Sequence, residues 1–299
     1  MHHFDFLGKA KYFVPISIAL VLISWLLVIP AVRGLNPGID FTGGTEFTVD
    51  FDSPVSTANV RSAIAGIPSP IDLSKSVIQD VTGKNRKVIT TQLDVEKNHD
   101  TIDRIESTLK SKFSVNEISR KSIGQQVSKE LTQKGWQAIL LALVVILIYV
   151  SWRFRMRYAV GAVVALIHDV SIALGVFALF HIEINLPTIA AFLTIIGYSL
   201  NDTIVIFDRI RENMKIEKKA STFDIINKSV NQSLSRTMNT SLTTFIPVII
   251  LFLFGGSVLR GFSLALLIGV IVGTYSSMYI ANPILYAWTL KTAKAKKHR

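Results

Sequence analysis

The chain has 299 residues, of which 49% are hydrophobic and only 18% are charged, and it carries a formal net charge of +11. A typical soluble domain has about 25% charged residues, so charge is scarce over long stretches. The chain contains no cysteine, which excludes disulfide bonds and thiolate metal sites within it.

Six long stretches are uncharged or interrupted by a single acid. A bilayer-spanning helix needs about 20 mostly apolar residues, so the sequence predicts six transmembrane helices and excludes a soluble globular protein. These stretches are residues 12–32, 135–152, 158–182, 184–207, 237–259 and 261–290. The first is longer than the apolar region of a secretory signal and has no small-x-small cleavage site after it, so we expect an uncleaved anchor.

The positive charge follows the predicted topology. Residues 33–135 hold 14 basic and 13 acidic residues, whereas the short segments 1–12, 153–157, 208–236 and 291–299 together hold 17 basic and 5 acidic residues. Basic residues concentrate in cytoplasmic loops, so both termini are predicted to be cytoplasmic. Membrane topology accounts for the charge, and a nucleic-acid partner is not expected.

The one long hydrophilic segment has the pattern of a folded domain. Alternating residues predict strands at 45–51, 76–81, 87–93 and 114–122, and helical spacing predicts helices at 56–65 and 99–112, with a hairpin turn at 82–85. The order β-α-β-β-α-β is that of a ferredoxin-like α+β domain. The predicted division is therefore 1–32 for the N-terminus and first helix, 33–127 for an extracytoplasmic domain, and 128–299 for helices two to six and the basic tail.

Three features of the last 92 residues concern the helices. Segment 208–236 is basic and amphipathic, which favours a helix lying on the cytoplasmic surface. Asn282 and Pro283 are expected to kink or end the last helix. Gly269 and Gly273 are spaced so that a neighbouring helix could approach closely.

Two carboxylates, Asp169 and Asp202, lie inside predicted membrane helices, where a charged side chain costs at least about 2.5 kcal/mol. Polar neighbours accompany both: His168 precedes Asp169 and Asn201 precedes Asp202. Either acid could belong to a static hydrogen-bonded core, or it could carry protons, because burial disfavours the charged form and a nearby cation favours it. The proton-carrier interpretation is favoured for Asp202, both interpretations stay open for Asp169, and His168 is expected to be a supporting partner.

Arg236 is the candidate cation. It begins a polar face that continues through Asn239, Thr240 and Thr243 at helical spacing. This face is too polar for lipid, so we expect it to turn towards the fourth helix and to bring Arg236 to Asp202 in one conformation. The alternative is that Arg236 extends to anionic lipid headgroups.

Several segments resemble the SecD/SecF family of accessory subunits of the Sec protein-export machinery. Gly38-Ile-Asp40-Phe-Thr-Gly43-Gly44-Thr is similar to the glycine signature of that family. Residues 195–213, with the sequence IIGYSLNDTIVIFDRIREN, resemble its fourth-helix motif, and His168-Asp169-Val and Ser235-Arg236-Thr follow its third and fifth helices. The resemblance covers essentially the whole chain.

The resemblance implies a fold of the resistance-nodulation-division type and use of the proton motive force in late steps of preprotein translocation. It implies that Asp202 and Arg236 serve proton movement. The implied partners are SecD, the SecYEG channel, YajC and the preprotein, besides membrane lipid. Gly38, Gly43 and Gly44 are expected to form a tight turn, and Asp40 to cap it or hydrogen-bond to it.

Three alternatives remain at this stage. A proton-coupled small-solute transporter would use the same acids, although the chain has no internal repeat with paired broken helices. An intramembrane protease would need Asp169 and Asp202 to share a proton, and their estimated depths differ. A passive scaffold would make both acids packing elements. No cofactor is expected, and the histidines lack the spacing of a metal site.

Overall fold

The structure is a computed structural model that describes residues 4–81 and 85–297, with the side chains of 257–258 and 293–297 excepted. It separates into two compact units. The sheet unit comprises Pro37–Gln137, and the helical unit comprises the chain up to Asn36 together with the chain from Ala138 onward. The predicted hairpin turn residues 82–84 lie outside the described residues.

Ten α-helices and six strands follow one another along the described chain. In order they are α1 (Phe6–Val28), β1 (Asn36–Pro37), α2 (Ile39–Thr42), β2 (Gly44–Phe51), α3 (Thr57–Ala65), β3 (Val77–Val81), β4 (Arg86–Thr91), α4 (His99–Lys112), β5 (Val115–Ile123), α5 (Gln125–Arg153), α6 (Met156–Leu179), β6 (Glu183–Ile184), α7 (Leu186–Ile216), α8 (Thr222–Phe254), α9 (Gly256–Tyr279) and α10 (Ala281–Lys297).

The sheet unit is built on a four-stranded sheet in the order β3-β4-β2-β5, and all three strand pairs are antiparallel. Alternate residues of the central strand β2 point to the same face, so Phe47, Val49 and Phe51 are all buried there. The helices α3 and α4 contribute buried residues at helical spacing to the same core: Val60, Ile64, Ile102, Ile105 and Leu109. The hydroxyl of Ser56 accepts a hydrogen bond from the backbone N–H of Asn59 and caps α3 as the sequence predicts.

Within the described residues, six helical segments are long and apolar enough to cross a bilayer, which confirms the predicted number. They are Phe6–Val28, Gln125–Arg153, Met156–Leu179, Leu186–Ile216, Thr222–Phe254 and the interrupted segment Leu259–Thr292. The third, fourth and sixth of these segments are half-buried or more within the chain, whereas the first, second and fifth are mostly exposed. The two membrane acids lie on these buried helices, Asp169 on α6 and Asp202 on α7.

Glycines allow α7 and α9 to approach each other closely. A Cβ atom added to Gly269 would lie 2.2 Å from Cγ1 of Ile195, and one added to Gly273 would lie 3.0 Å from Cβ of Ser199. The predicted close approach at this glycine pair is confirmed, and α7 is the helix that approaches. The interruption of the last span is also confirmed, because α9 ends at Tyr279 and α10 begins at Ala281.

The prediction for segment 208–236 was wrong. Its residues form the end of α7 and the beginning of α8, and only residues 217–221 between them are not helical. The side chain of Ser221 accepts a hydrogen bond from the backbone N–H of Asp224 and so starts α8. The segment is amphipathic because its apolar residues pack these two helix ends against each other, with Ile210, Ile226 and Val230 in one buried cluster.

Candidate functional site

The glycine motif forms a tight turn at the start of the sheet unit. Gly43 has a φ of 70° and Gly44 a φ of 125°, which side chains rarely adopt. A Cβ atom on Gly44 would lie 2.2 Å from the carbonyl oxygen of Thr91. Gly38 is the N-terminal cap residue of the short helix α2.

Asp40 takes part in an ion pair across the sheet unit. Its buried side chain accepts a hydrogen bond from Nζ of Lys121, on β5, at 2.8 Å. Glu46 lies near both charges, and burial raises the pKa of its carboxyl group against the opposing effect of Lys121. Lys121 therefore ties the glycine motif to the edge strand of the sheet.

Asp169 joins three helices of the helical unit through one carboxylate. It is fully buried on α6, and its Oδ2 accepts hydrogen bonds from the hydroxyl of Ser199 on α7 at 2.5 Å and of Ser276 on α9 at 2.8 Å. Nδ1 of His168 lies 2.8 Å from Oδ1, so the predicted supporting partner is in place. Nε2 of His168 is buried and has no hydrogen-bond partner among the described residues.

Asp202 has different surroundings. Its side chain on α7 is only 2% exposed, yet Oδ2 has no hydrogen-bond partner within the described parts of the chain. Burying a polar group without a partner is costly, so this carboxylate is not held in place as Asp169 is. It lies one helical turn beyond Ser199, about 4.5 Å along the axis of α7.

Arg236 is the cation that acts electrostatically on Asp202. No ion pair joins their side chains in the described structure, so the predicted approach of Arg236 is not a closed contact here. Arg236 lies on α8 and lines a cleft of about 490 Å³ between α7 and α8. The other lining residues are Asn201, Ile204, Val205, Asp208, Arg209, Glu212, Gln232 and Ser233.

The polar face predicted to turn inward on α8 is not the buried one. Arg236, Asn239 and Thr243 are exposed and Thr240 is half-buried. From residue 233 onward, the buried polar residues of α8 are instead Ser233, Thr237 and Ser241, which lie one position along the helix. The hydroxyls of Thr240 and Thr243 donate hydrogen bonds to the carbonyls of Arg236 and Asn239 and thus stay on their own helix.

The rotation of α8 follows from its contacts with other helices. The hydroxyl of Ser241 lies 2.6 Å from that of Thr274 on α9, and this contact fixes which face of α8 points inward. Both α8 faces carry small polar residues, so periodicity alone could not separate them. Sequence reasoning also missed Ser199 and Ser276 as partners of Asp169, although Ser199 lies one turn before Asp202 in the same motif.

No hydrogen bond joins Asp169 to Asp202 among the described residues, whereas an aspartyl protease needs two carboxyl groups that share a proton. Within the described residues, no group of three or more histidine, aspartate or glutamate side chains is arranged to hold a metal ion.

Comparison with known proteins gives the family. Residues 104–291 match the family described as protein export membrane protein SecD/SecF, C-terminal, and residues 28–55 match the SecD/SecF GG motif. The chain belongs to the SecD/SecF family. The protein translocase subunit SecF of Petrotoga mobilis is 38% identical over 99% of this chain and all of that protein, and that of Magnetococcus marinus is 44% identical over 95% of this chain and 91% of that protein.

A solved structure in the SecD/SecF family has the same fold. The crystal structure of SecDF from Thermus thermophilus, a translocon-associated membrane protein, is 36% identical and superposes with a TM-score of 0.85. The match covers 96% of this chain but only 39% of that longer protein. The chain is therefore a membrane protein of protein export, and the names of its relatives are those of translocase subunits and not of enzymes.

Proposed function

We propose that this chain converts the proton gradient into movement that assists late steps of preprotein translocation, with Asp202 as the group that takes up and releases the proton. The observation that carries the proposal is the contrast between two buried acids. Asp169 has hydrogen-bond partners on two other helices, whereas Asp202 has a buried oxygen without a partner among the described residues. Asn201, which precedes Asp202, lines the cleft that also contains Arg236. A carboxyl group without fixed donors can change its protonation state without breaking a network.

In this proposal Asp169 is the companion of Asp202 and not a second switch. Ser199 donates to Asp169 and precedes Asp202 by one turn on α7. A change in the charge of Asp202 would therefore shift a helix that is attached to α6 and α9 through Asp169. Arg236 would approach Asp202 when the acid is ionised and withdraw when it is protonated.

The expected partner is a SecD-type subunit. The solved SecDF relative is longer than this chain, which matches 39% of it. The exposed polar face of α8, made by Arg236, Asn239 and Thr243, supports a protein partner, because polar side chains exposed to lipid are costly. Asn201 on α7 is exposed as well. The SecYEG channel, YajC and the preprotein are further proposed partners.

We further propose that the sheet unit is a ferredoxin-like domain outside the cytoplasm and that both chain termini are cytoplasmic. The sheet order β3-β4-β2-β5 with antiparallel pairing and two helices packed into one core supports the fold. The basic segments that flank alternate helices support the topology in a bacterial inner membrane. The division at 1–32, 33–127 and 128–299 is part of this proposal.

The test uses vesicles that contain this chain, a SecD-type subunit and the protein-conducting channel. Preprotein translocation is measured with and without an imposed proton gradient, and proton flux is followed with a pH-sensitive dye. Asp202→Asn is expected to abolish the gradient-dependent part of both signals. Asp224→Asn, which alters an exposed acid at the start of α8, is the matched control. Equal stimulation in the wild type and in Asp202→Asn would reduce the chain to a scaffold.

A further inference from the structure

A hydrogen-bonded bridge spans the cytoplasmic part of the cleft between α7 and α8. The side-chain oxygen of Gln232, on α8, accepts hydrogen bonds from Nε of Arg209 at 2.7 Å and from Nδ2 of Asn213 at 2.8 Å. Both donors lie on α7, four residues apart and hence on one face of that helix. One glutamine thereby joins two turns of the facing helix.

The bridge lies directly before the turn that carries the proposed cation. Gln232 precedes Arg236 by four residues, so the two side chains project from the same face of α8 about 6 Å apart along its axis. Arg209 follows Asp202 by seven residues, about 10 Å along α7 towards the cytoplasmic connection at 217–221. Along the helix axes, the bridge therefore lies with Asp202 and Arg236 on one side of it and the connection at 217–221 on the other.

The bond from Arg209 to Gln232 is exposed, whereas a neighbouring contact between α7 and α8 is buried. The hydrogen bond from Asn213 to Ser229 is buried, which favours a permanent contact. Arg209 is 39% exposed and also pairs with the exposed Glu212 at 2.6 Å. Water and Glu212 can therefore compete for the guanidinium of Arg209, so its bond to Gln232 can break while the buried contact stays formed.

The geometry points to Gln232 as a positioning residue that, through its bond to Arg209, sets the distance of Arg236 from Asp202 and the access of cytoplasmic water to the cleft. This inference rests on the proposed function and adds a regulatory contact to it. With the bridge formed, α8 is held against α7 and the cleft is narrow. With the bridge broken, the turn that carries Arg236 moves away and the cleft opens to the cytoplasm.

Two substitutions of Gln232 are expected to act in opposite directions. Gln232→Leu has a similar size but no acceptor, so the bridge cannot form. Gln232→Glu keeps the acceptor and adds a negative charge, which strengthens hydrogen bonds from a guanidinium. If Gln232 served only folding, both substitutions would loosen the packing of α8 against α7. Opposite effects on the opening of the cleft therefore separate positioning from general packing.

Access can be measured because the chain has no cysteine of its own. Val205→Cys places one thiol on the wall of the cleft, and Lys218→Cys places a reference thiol in the exposed connection. The complex with a SecD-type subunit is placed in inverted vesicles and exposed to a charged, membrane-impermeant thiol reagent. The rate of modification is read from the mass of this chain and divided by the rate at position 218.

Gln232→Leu is expected to raise the modification rate at position 205 about tenfold, which corresponds to about 1.4 kcal/mol in the opening equilibrium. Gln232→Glu is expected to lower the rate below that of the wild type. Equal rates in all three backgrounds, or a shift of both variants in one direction, would overturn the inference. The measurement needs no proton transport. If Asp202 proved not to carry protons, the modification rates at position 205 would still report on the bridge.

Discussion

The contact between α7 and α9 gives a prediction whose size follows from the structure. Replacing Gly269 with alanine places a Cβ atom 2.2 Å from Cγ1 and 2.7 Å from Cδ1 of Ile195. Ile195 is only 1% exposed and cannot swing into lipid. Overpacking of this kind costs about 1–3 kcal/mol, so the free energy of unfolding should fall in Gly269→Ala.

Gly197 is the matched control, because an added Cβ atom there meets no atom within 4 Å. It lies on α7, two residues after Ile195. Both changes remove one glycine from a helix, so the helix-propensity gain of about 1 kcal/mol is common to both. The two variants should therefore differ by about 1–3 kcal/mol, with Gly269→Ala the less stable.

The assay is unfolding of the full chain in mixed micelles by titration with a denaturing detergent, followed by tryptophan fluorescence. Adding Ile195→Ala should weaken the effect of Gly269→Ala, because it removes the atoms that clash. A coupling of about 0.5–3 kcal/mol is expected from such neighbours. Equal unfolding free energies for Gly197→Ala and Gly269→Ala would show that the close approach at Gly269 is absent.

Three further predictions concern single side chains. Ser199→Ala removes a hydrogen bond to the buried carboxylate of Asp169 and should lower the free energy of unfolding by about 1.5–3 kcal/mol, and an effect below about 0.5 kcal/mol would contradict that network. Arg236→Lys keeps the charge but loses the planar guanidinium, so gradient-stimulated translocation should fall, and full activity would instead favour contact with lipid headgroups. Because burial raises the pKa of Glu46, its ionisation costs stability as pH rises above 4.5, the ordinary value. Glu46→Gln should therefore slow amide exchange in the β2 strand at neutral pH and leave it unchanged below that value.

Local patterns were sufficient for most of the sheet unit. Strand alternation, the Ser56 cap and helical spacing located β2, α3 and α4 to within one or two residues, because each of these signals depends on residues close together in the chain. The number of membrane helices was also predictable, because it depends only on the length of each apolar stretch. Their ends were less accurate, since α7 and α8 continue well beyond the apolar part.

The orientation of helices could not be predicted from one sequence. Asp169 and Asp202 are both acids with polar neighbours, and only the contacts of Ser199 and Ser276 distinguish a satisfied carboxylate from an unpartnered one. The inward face of α8 was misplaced because Arg236 and Thr237 begin two polar faces of similar composition. Packing against α9 selects between them, and that information is not local.

In the proposed mechanism, Asp202 changes its protonation state while Asp169 does not. Infrared difference spectroscopy on vesicles containing the complex, with isotope-labelled aspartate and with Asp202→Asn and Asp169→Asn for assignment, measures this directly when a proton gradient is imposed. We expect a carboxyl band that changes with the gradient, disappears in Asp202→Asn and persists in Asp169→Asn. A band from Asp202 that stays constant throughout would contradict it.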